Sequence, residues 1–340
     1  MKYISAPHGL RYSPSFGLIH HDLLGDVIVW RQHELQTWWN NFEPMFNHPL
    51  SRMFVNAFID SLEFNETLDY SKGIFRKKKF NSEVNQICTT LGWGRVNLRE
   101  RLILNSANQL LSVALGQYAI ECYDQKRYKV RWTEPRPKVV EIELEETTNL
   151  PPPKIQNSFP WSKDVGKNEQ EISTLSFEQH SDCSLRLEGE RVLIIPVNGF
   201  ERFFSSCLAY IPDSPHEWLD SNDTFDSSLE NLLATIIQSI ALMFLSSERP
   251  VYIIDETSWS AYIEHYLVER GWGNVTVLDY NITTYELQLS VHGSKIFPLT
   301  LGMICGIWER AHGRTCKMRI ERKNEIFFIR IQSFLEYQNN

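Results

Sequence analysis

The sequence predicts an α/β chain made by doubling one domain, and three observations carry that prediction. The tripeptide Gly-Trp-Gly occurs twice, at 92–94 and 271–273, each time before an alternating, valine-containing stretch. The same order of strands and helices can be traced around both copies. A segment rich in Pro, Ser, Asn and Glu, 147–184, with "PPP" at 151–153, reads as a linker between them. The expected domains are 20–146 and 185–336.

Each element follows from local chemistry. "GDVIVWRQHELQTWW" (25–39) and "GERVLIIPVNGFERFF" (189–204) both give a glycine, a short apolar strand and a segment ending in two aromatics. A helix comes next in each half, 51–64 and 228–245. In the second, Leu229, Leu232, Leu233, Ile236, Ile237, Ile240 and Leu242 cover more than half the circumference, which predicts a core helix. A further helix leads into each Gly-Trp-Gly, where glycine after the last periodic residue is a stop signal. Then "RERLILNSANQLLSVALGQYAIECY" aligns with "YELQLSVHGSKIFPLTLGMICGIWE" as strand, turn and helix, matching Leu115-Gly116 to Leu301-Gly302. Period-2 hairpins close both halves, at 127–145 and 316–332.

Composition narrows the function. At 340 residues, with 42% hydrophobic and 22% charged residues, the chain has the make-up of a folded protein with a sizeable core. A net charge of −8 argues against a nucleic-acid partner, which would need surplus Lys and Arg. The first twelve residues carry no signal-peptide pattern, and 232–245 reads as too short and too polar for a membrane span. Six cysteines without C-x-x-C spacing predict free thiols in the cytoplasm, neither a zinc site nor a disulfide framework.

The candidate motifs each have a plain structural account. Gly-Trp-Gly could be a phosphate loop, but it follows a helix and lacks G-x-G-x-x-G, so a helix cap turning into a strand, wedged by the tryptophan, is expected. Gly302 and Gly306 lie on one face of helix 299–312 and could open a groove for an alkyl chain beside Met303 and Cys305; close packing against the sheet needs the same small residues. Asp255 and Glu256, ahead of Trp259 and His265, could do acid–base work, yet "DETS" is ordinary capping chemistry. His20, His21 and His33 with Glu34 could form a metal cluster but lack metal-ligand spacing, and the histidines are expected at the surface; no metal and no cofactor is expected. Arg76–Lys79 is expected as solvated loop charge, the alternative being a dock for an anionic partner. Arg127, Lys129 and Arg131 are expected to face Glu141, Glu143 and Glu145 across the hairpin. No G-x-S-x-G, P-loop or H-E-x-x-H occurs.

The element order resembles the 4-vinyl-reductase-type (4VR) domain, a relative of TRAPP vesicle-tethering subunits. The residues that carry the resemblance are "GWGNVTV", "YELQLSVHGS", "FPLTLGMICGIWERAHGR" and the hairpin "TCKMRIERKNEIFFIRI", with Gly302, Cys305 and Gly306 at the small positions and Cys316 at the hairpin position. The first half departs: Ile120 stands at the second small position and its hairpin has no cysteine. The resemblance implies, in each domain, an antiparallel sheet with helices packed on one side, a small apolar molecule between the layers, and two copies arranged as a pseudo-dimer.

The expected function is that of a non-catalytic protein binding a small hydrophobic ligand, through Gly302, Met303, Cys305 and Gly306, or a protein partner, as sensor, carrier or scaffold. Two alternatives stand beside it: an enzyme or accessory acting on a tetrapyrrole-like or other apolar substrate, and a structural assembly subunit.

Overall fold

A computed structural model describes residues 2–5, 10–13, 16–68, 76–147, 158–163, 171–172, 175–214, 216–222, 224–247 and 249–335. The first half runs β1 (Lys2–Ser5), β2 (Leu10–Ser13), β3 (Leu18–His21), β4 (Gly25–Arg31), α1 (Gln32–Phe42), α2 (Ser51–Phe64), α3 (Arg76–Leu91), β5 (Arg95–Asn97), β6 (Leu102–Leu104), α4 (Gln109–Asp124), β7 (Tyr128–Arg136) and β8 (Val139–Glu146). The second runs β9 (Glu171–Ile172), β10 (Ser176–Gln179), β11 (Leu185–Leu187), β12 (Glu190–Pro196), α5 (Val197–Cys207), β13 (Leu219–Asp220), α6 (Ser227–Ser246), α7 (Glu256–Tyr266), β14 (Val275–Asn281), β15 (Glu286–His292), α8 (Phe297–His312), β16 (Cys316–Lys323) and β17 (Ile326–Ser333). The chain is thus α/β, and from β4 and from β12 onward the halves repeat one order except for β13, which the second half adds. Strands β9 and β10 fall within the stretch read from sequence as linker.

The halves interlock. The largest sheet has eight strands in the order β1-β10-β11-β12-β4-β3-β2-β9, so it mixes both halves and exchanges their outermost strands. At its centre β4 and β12 run antiparallel, with Val29 opposite Ile194. Helices exchange as well: α1 packs on α6, and α5 on α2. Behind them α4 packs on α2 and on the sheet β5-β6-β8-β7, while α8 packs on α6 beside the sheet β13-β16-β17-β15-β14. Apart from the short parallel pair β13–β16, every strand pairing among the described residues is antiparallel.

The two Gly-Trp-Gly corners meet at this centre. Gly92 and Gly271 take left-handed φ of 72° and 81° after their helices, as caps do. A Cβ on Gly92 would lie 3.0 Å from Val192 O, and one on Gly271 2.7 Å from Val27 O, so each corner abuts the other half's central strand. The tryptophans cross over. Trp93 Nε1 donates to Ile194 O (3.0 Å) and Trp272 Nε1 to Val29 O (3.3 Å), the two residues that face each other across β4 and β12. Behind each corner a hydroxyl repeats the pattern: Ser112 donates to Trp93 O and Thr300 to Trp272 O, both at 2.6 Å. The wedge expected between neighbouring elements is therefore a tie between halves, inside an aromatic core where Trp30 meets Trp272 and Phe200, and Phe58 meets Trp93.

Several sequence expectations change in detail. The register of α4 against α8 is fixed by their ends. Gln125 and Gly313 are left-handed caps donating to Glu121 O and Glu309 O. The Glu121 carboxylate accepts from Tyr128 N (3.0 Å), and that of Glu309 from Cys316 N (2.9 Å). This matches Gly302 to Ala114 and Gly306 to Tyr118, two residues away from the Leu-Gly alignment. Gly116 instead faces Ile142 and Ile103 on the sheet. Arg76–Lys79 opens helix α3, exposed, and is not a loop. Helix α6, read from sequence as 228–245, is 20 residues long and apolar enough to cross a membrane by length and composition; it is packed between α1 and α8.

Candidate functional site

The residues expected to bind a ligand lie on α8. All of Gly302, Met303, Cys305 and Gly306 are buried. A Cβ on Gly302 would sit 2.5 Å from Ile240 Cβ, and one on Gly306 2.6 Å from Phe244 Cβ. Their face is filled by α6, so the small residues serve helix–helix contact where helix–sheet packing was anticipated. Cys305 Sγ lies 3.2 Å from Cys316 Sγ, both buried and free. The hydrogen bond to Cys316, together with burial, pushes the Cys305 thiol well above its ordinary range, so it stays protonated and is a poor nucleophile. At the matching place in the first half, Gln117 Nε2 donates to Tyr128 O (3.0 Å) and Glu121 Oε1 (2.9 Å).

The other candidates resolve into structural roles. Asp255 caps α7, accepting from Ser258 N and Oγ at 2.7 Å, and lies exposed. His265 pairs with Glu269 at 3.7 Å on the same exposed surface. His20 pairs with Asp26 at 3.0 Å, whereas His21, expected at the surface, is buried and accepts from Leu23 N. Glu34 is also buried, between Arg31 and Arg249, each at 3.2 Å. That pair belongs to a network with Arg270, Glu188 and Glu190 that spans the two halves. Burial raises the Glu188 carboxyl, but Arg270 and Arg31 draw it below its ordinary value. Among the described residues no group of three His, Cys, Asp or Glu could hold a metal ion.

What sequence reasoning missed is an asymmetry between the closing hairpins. In the second half the outer edge of β16 is covered by β13, which pairs with it in parallel: Leu219 with Met318 and Asp220 with Arg319. Met318 N donates to Trp218 O at 2.7 Å, and Asp220 lies 3.8 Å from Arg319. In the first half β7 holds the matching place, with Val130 for Met318 and Arg131 for Arg319. The covering strand comes from the loop 211–226 ahead of α6; the corresponding stretch ahead of α2, residues 46–50, is too short to supply one. No strand lies beyond β7 among the described residues.

A groove of about 630 Å³ runs along that edge, lined by Arg52, Asn56, Tyr128, Val130, Arg131 and Glu145 among others. Backbone groups of β7 alternate between β8 and this edge. Tyr128 turns outward, its N–H and carbonyl already satisfied by Glu121 and Gln117. Val130 turns outward next, and its carbonyl accepts from Arg52 Nη2 at 2.9 Å. Arg127, expected to face the hairpin glutamates, pairs instead with Glu63 and Glu121. Lys129 and Arg131 lie opposite Glu145 and Glu143 as expected, and both are exposed. The sequence signal for the edge was available: the loop ahead of the second helix differs greatly in length between the halves.

No family model, curated protein or solved structure matches the chain.

Proposed function

We propose that the chain is a tandem duplication of one 4VR-like domain, fused as a pseudo-dimer, that works as a non-catalytic scaffold binding a protein partner. The observation that carries this reading is the groove along β7: the same edge is covered by β13 in one half, and in the other no strand among the described residues covers it. An uncovered strand edge is a ready template for pairing with another chain, and proteins usually blunt such edges. The repeated order of elements and the crossing tryptophan ties support the pseudo-dimer. Filling of the Gly302 and Gly306 face by α6 favours a protein partner over a small apolar ligand. Buried thiols pushed toward the neutral form, Cys88 up to about 12 by burial, favour a scaffold over a thiol enzyme. Six free cysteines, two of them within 3.2 Å, support a reducing compartment such as the cytoplasm.

Two measurements test the reading. Native mass spectrometry should give the mass of the bare chain; an apolar molecule retained at one per chain would replace the scaffold with a carrier. A photo-crosslinking residue placed at Lys129, on the open edge, should capture a discrete partner in the source cell. The same residue at Lys317, on the covered edge, should not, and equal capture from both positions counts against the groove.

A further inference from the structure

Resting on the scaffold reading, we infer that the β7 groove takes an extended peptide segment of a partner protein, parallel to β7, with an apolar residue opposite Val130 followed by an acidic residue opposite Arg131. The molecule holds its own template for this complex. In the second half the segment Trp218-Leu219-Asp220 occupies the equivalent edge. Its Trp218 carbonyl accepts from Met318 N at 2.7 Å, Leu219 is buried opposite Met318, and Asp220 sits 3.8 Å from Arg319.

The first half repeats the receiving side of each contact. Cys316 and Tyr128 are fixed as equivalents by their N–H bonds to Glu309 and Glu121. Two residues further along, Val130 matches Met318, and three along, Arg131 matches Arg319. Val130 turns its backbone toward the groove, as Met318 does toward β13, so its N–H is aimed at an incoming carbonyl. Leu144, half-buried, lines the groove beside the buried Tyr128 and Val130 and gives an apolar side chain a surface to cover. Arg131 is exposed and has no ion pair within 4.0 Å among the described residues, whereas Arg319 pairs with Asp220 and Glu321. Arg52, on an exposed helix position, holds the Val130 carbonyl that a docked strand would take, and it swings aside on binding. Main-chain bonding along the edge supplies affinity, and the alternating side chains supply the choice of sequence.

The test uses a fluorescein-labelled peptide of the chain's own covering segment, HEWLDSN (residues 216–222), titrated into the full chain and followed by anisotropy. Saturable binding is expected, weakened about tenfold or more by Arg131→Glu, and about tenfold by the peptide's Asp→Lys change at the 220 position. Combining Arg131→Glu with that lysine peptide should restore binding, which a merely structural effect of the substitution would not do. No saturation up to about 1 mM peptide, or binding indifferent to Arg131, overturns the inference. Light scattering covers the other occupant: a dimer of the chain dissolved by Arg131→Glu would mean that a second copy fills the groove, which also overturns it. If the peptide fails while Lys129 still crosslinks a partner, the scaffold stands and only the docking mode is lost; if both fail, the scaffold reading fails with it.

Discussion

The α4–β7 and α8–β16 corners are built on one plan and finished differently. Each ends its helix in a left-handed cap and anchors the next strand through a glutamate seven residues before it, buried in the first half and half-buried in the second. On that shared frame the first half ties helix to strand with Gln117, uses Tyr118 as a spacer whose hydroxyl accepts from Leu68 N, and leaves its strand edge open. The second half has Cys305 and Gly306 at those places, lets α6 close on α8, and covers its edge with β13. One half has its hairpin edge covered; in the other no described strand lies beyond β7.

The comparison breaks first at the corners, where the halves should behave alike. Trp93→Ala and Trp272→Ala each remove a buried indole and strand the opposite strand's carbonyl, so each should cost about 3–5 kcal/mol. Because strands and helices are exchanged between halves, urea denaturation of either variant should still show one shared transition. A separate transition for each half would mean that they fold independently despite the exchange.

The next effect should differ between halves. Gly302→Ala drives a methyl to 2.5 Å from Ile240 Cβ and 2.8 Å from Ile237 O, atoms on or next to the backbone of α6. About 1–3 kcal/mol of destabilisation is expected from such overpacking. Gly116→Ala meets the Cδ1 methyls of Ile142 and Ile103 at 2.6 and 2.8 Å, flexible tips that can rotate away, and should cost less than about 1 kcal/mol. Equal costs in thermal denaturation would mean that α4 is held as tightly as α8.

These two glycines also mark how far the sequence could be read. The order of elements, the hairpins, the caps at Asp255 and Gly313 and the doubled corner were visible because each is local chemistry within a few residues. The two-residue slip in matching α4 to α8 arose because Leu-Gly is a pair of residue types, while helix register is set by the caps and by Glu121 and Glu309 at the far end. Strand exchange was invisible for a different reason: β1 choosing β10, and β4 choosing β12, are non-local pairings that hydrophobic alternation does not encode. The predicted ligand face at Gly302 was correctly seen as a face of small residues, but what fills it is a helix from elsewhere in the chain. The groove at β7 went unread although the unequal loops 46–50 and 211–226 announced it.

A third difference appears on acidification. His312 stacks on Tyr285 at 4.5 Å between ring centroids, and burial, helped by the Arg314 charge, lowers its pKa to about 4. A folded value below the unfolded one means that the unfolded chain takes the proton first. The contribution is therefore full above about pH 6.5 and is lost as pH falls from there toward about 4. The first half holds Asp124 at that place, accepting from Tyr128 Oη, with no histidine beside it. His312→Phe keeps a stacked ring and should flatten the fall in melting temperature between those limits; an unchanged profile would assign the acid response to other groups.

The smallest effects should fall on the two edge arginines, and there the sign of the difference carries the weight. Arg319 lies 3.8 Å from the exposed Asp220 and 3.2 Å from the half-exposed Glu321, so Arg319→Ala should cost no more than about 1 kcal/mol, and less at high salt. Arg131 has no such partner among the described residues, and Arg131→Ala should change urea stability by less than about 0.5 kcal/mol at any salt concentration. A silent Arg131 in stability that is decisive for peptide affinity would separate binding from folding at one position. A substantial loss of stability would instead mean that Arg131 is already engaged within the chain. The groove would then be closed to a partner's acidic residue, and the asymmetry between the halves would end at the backbone.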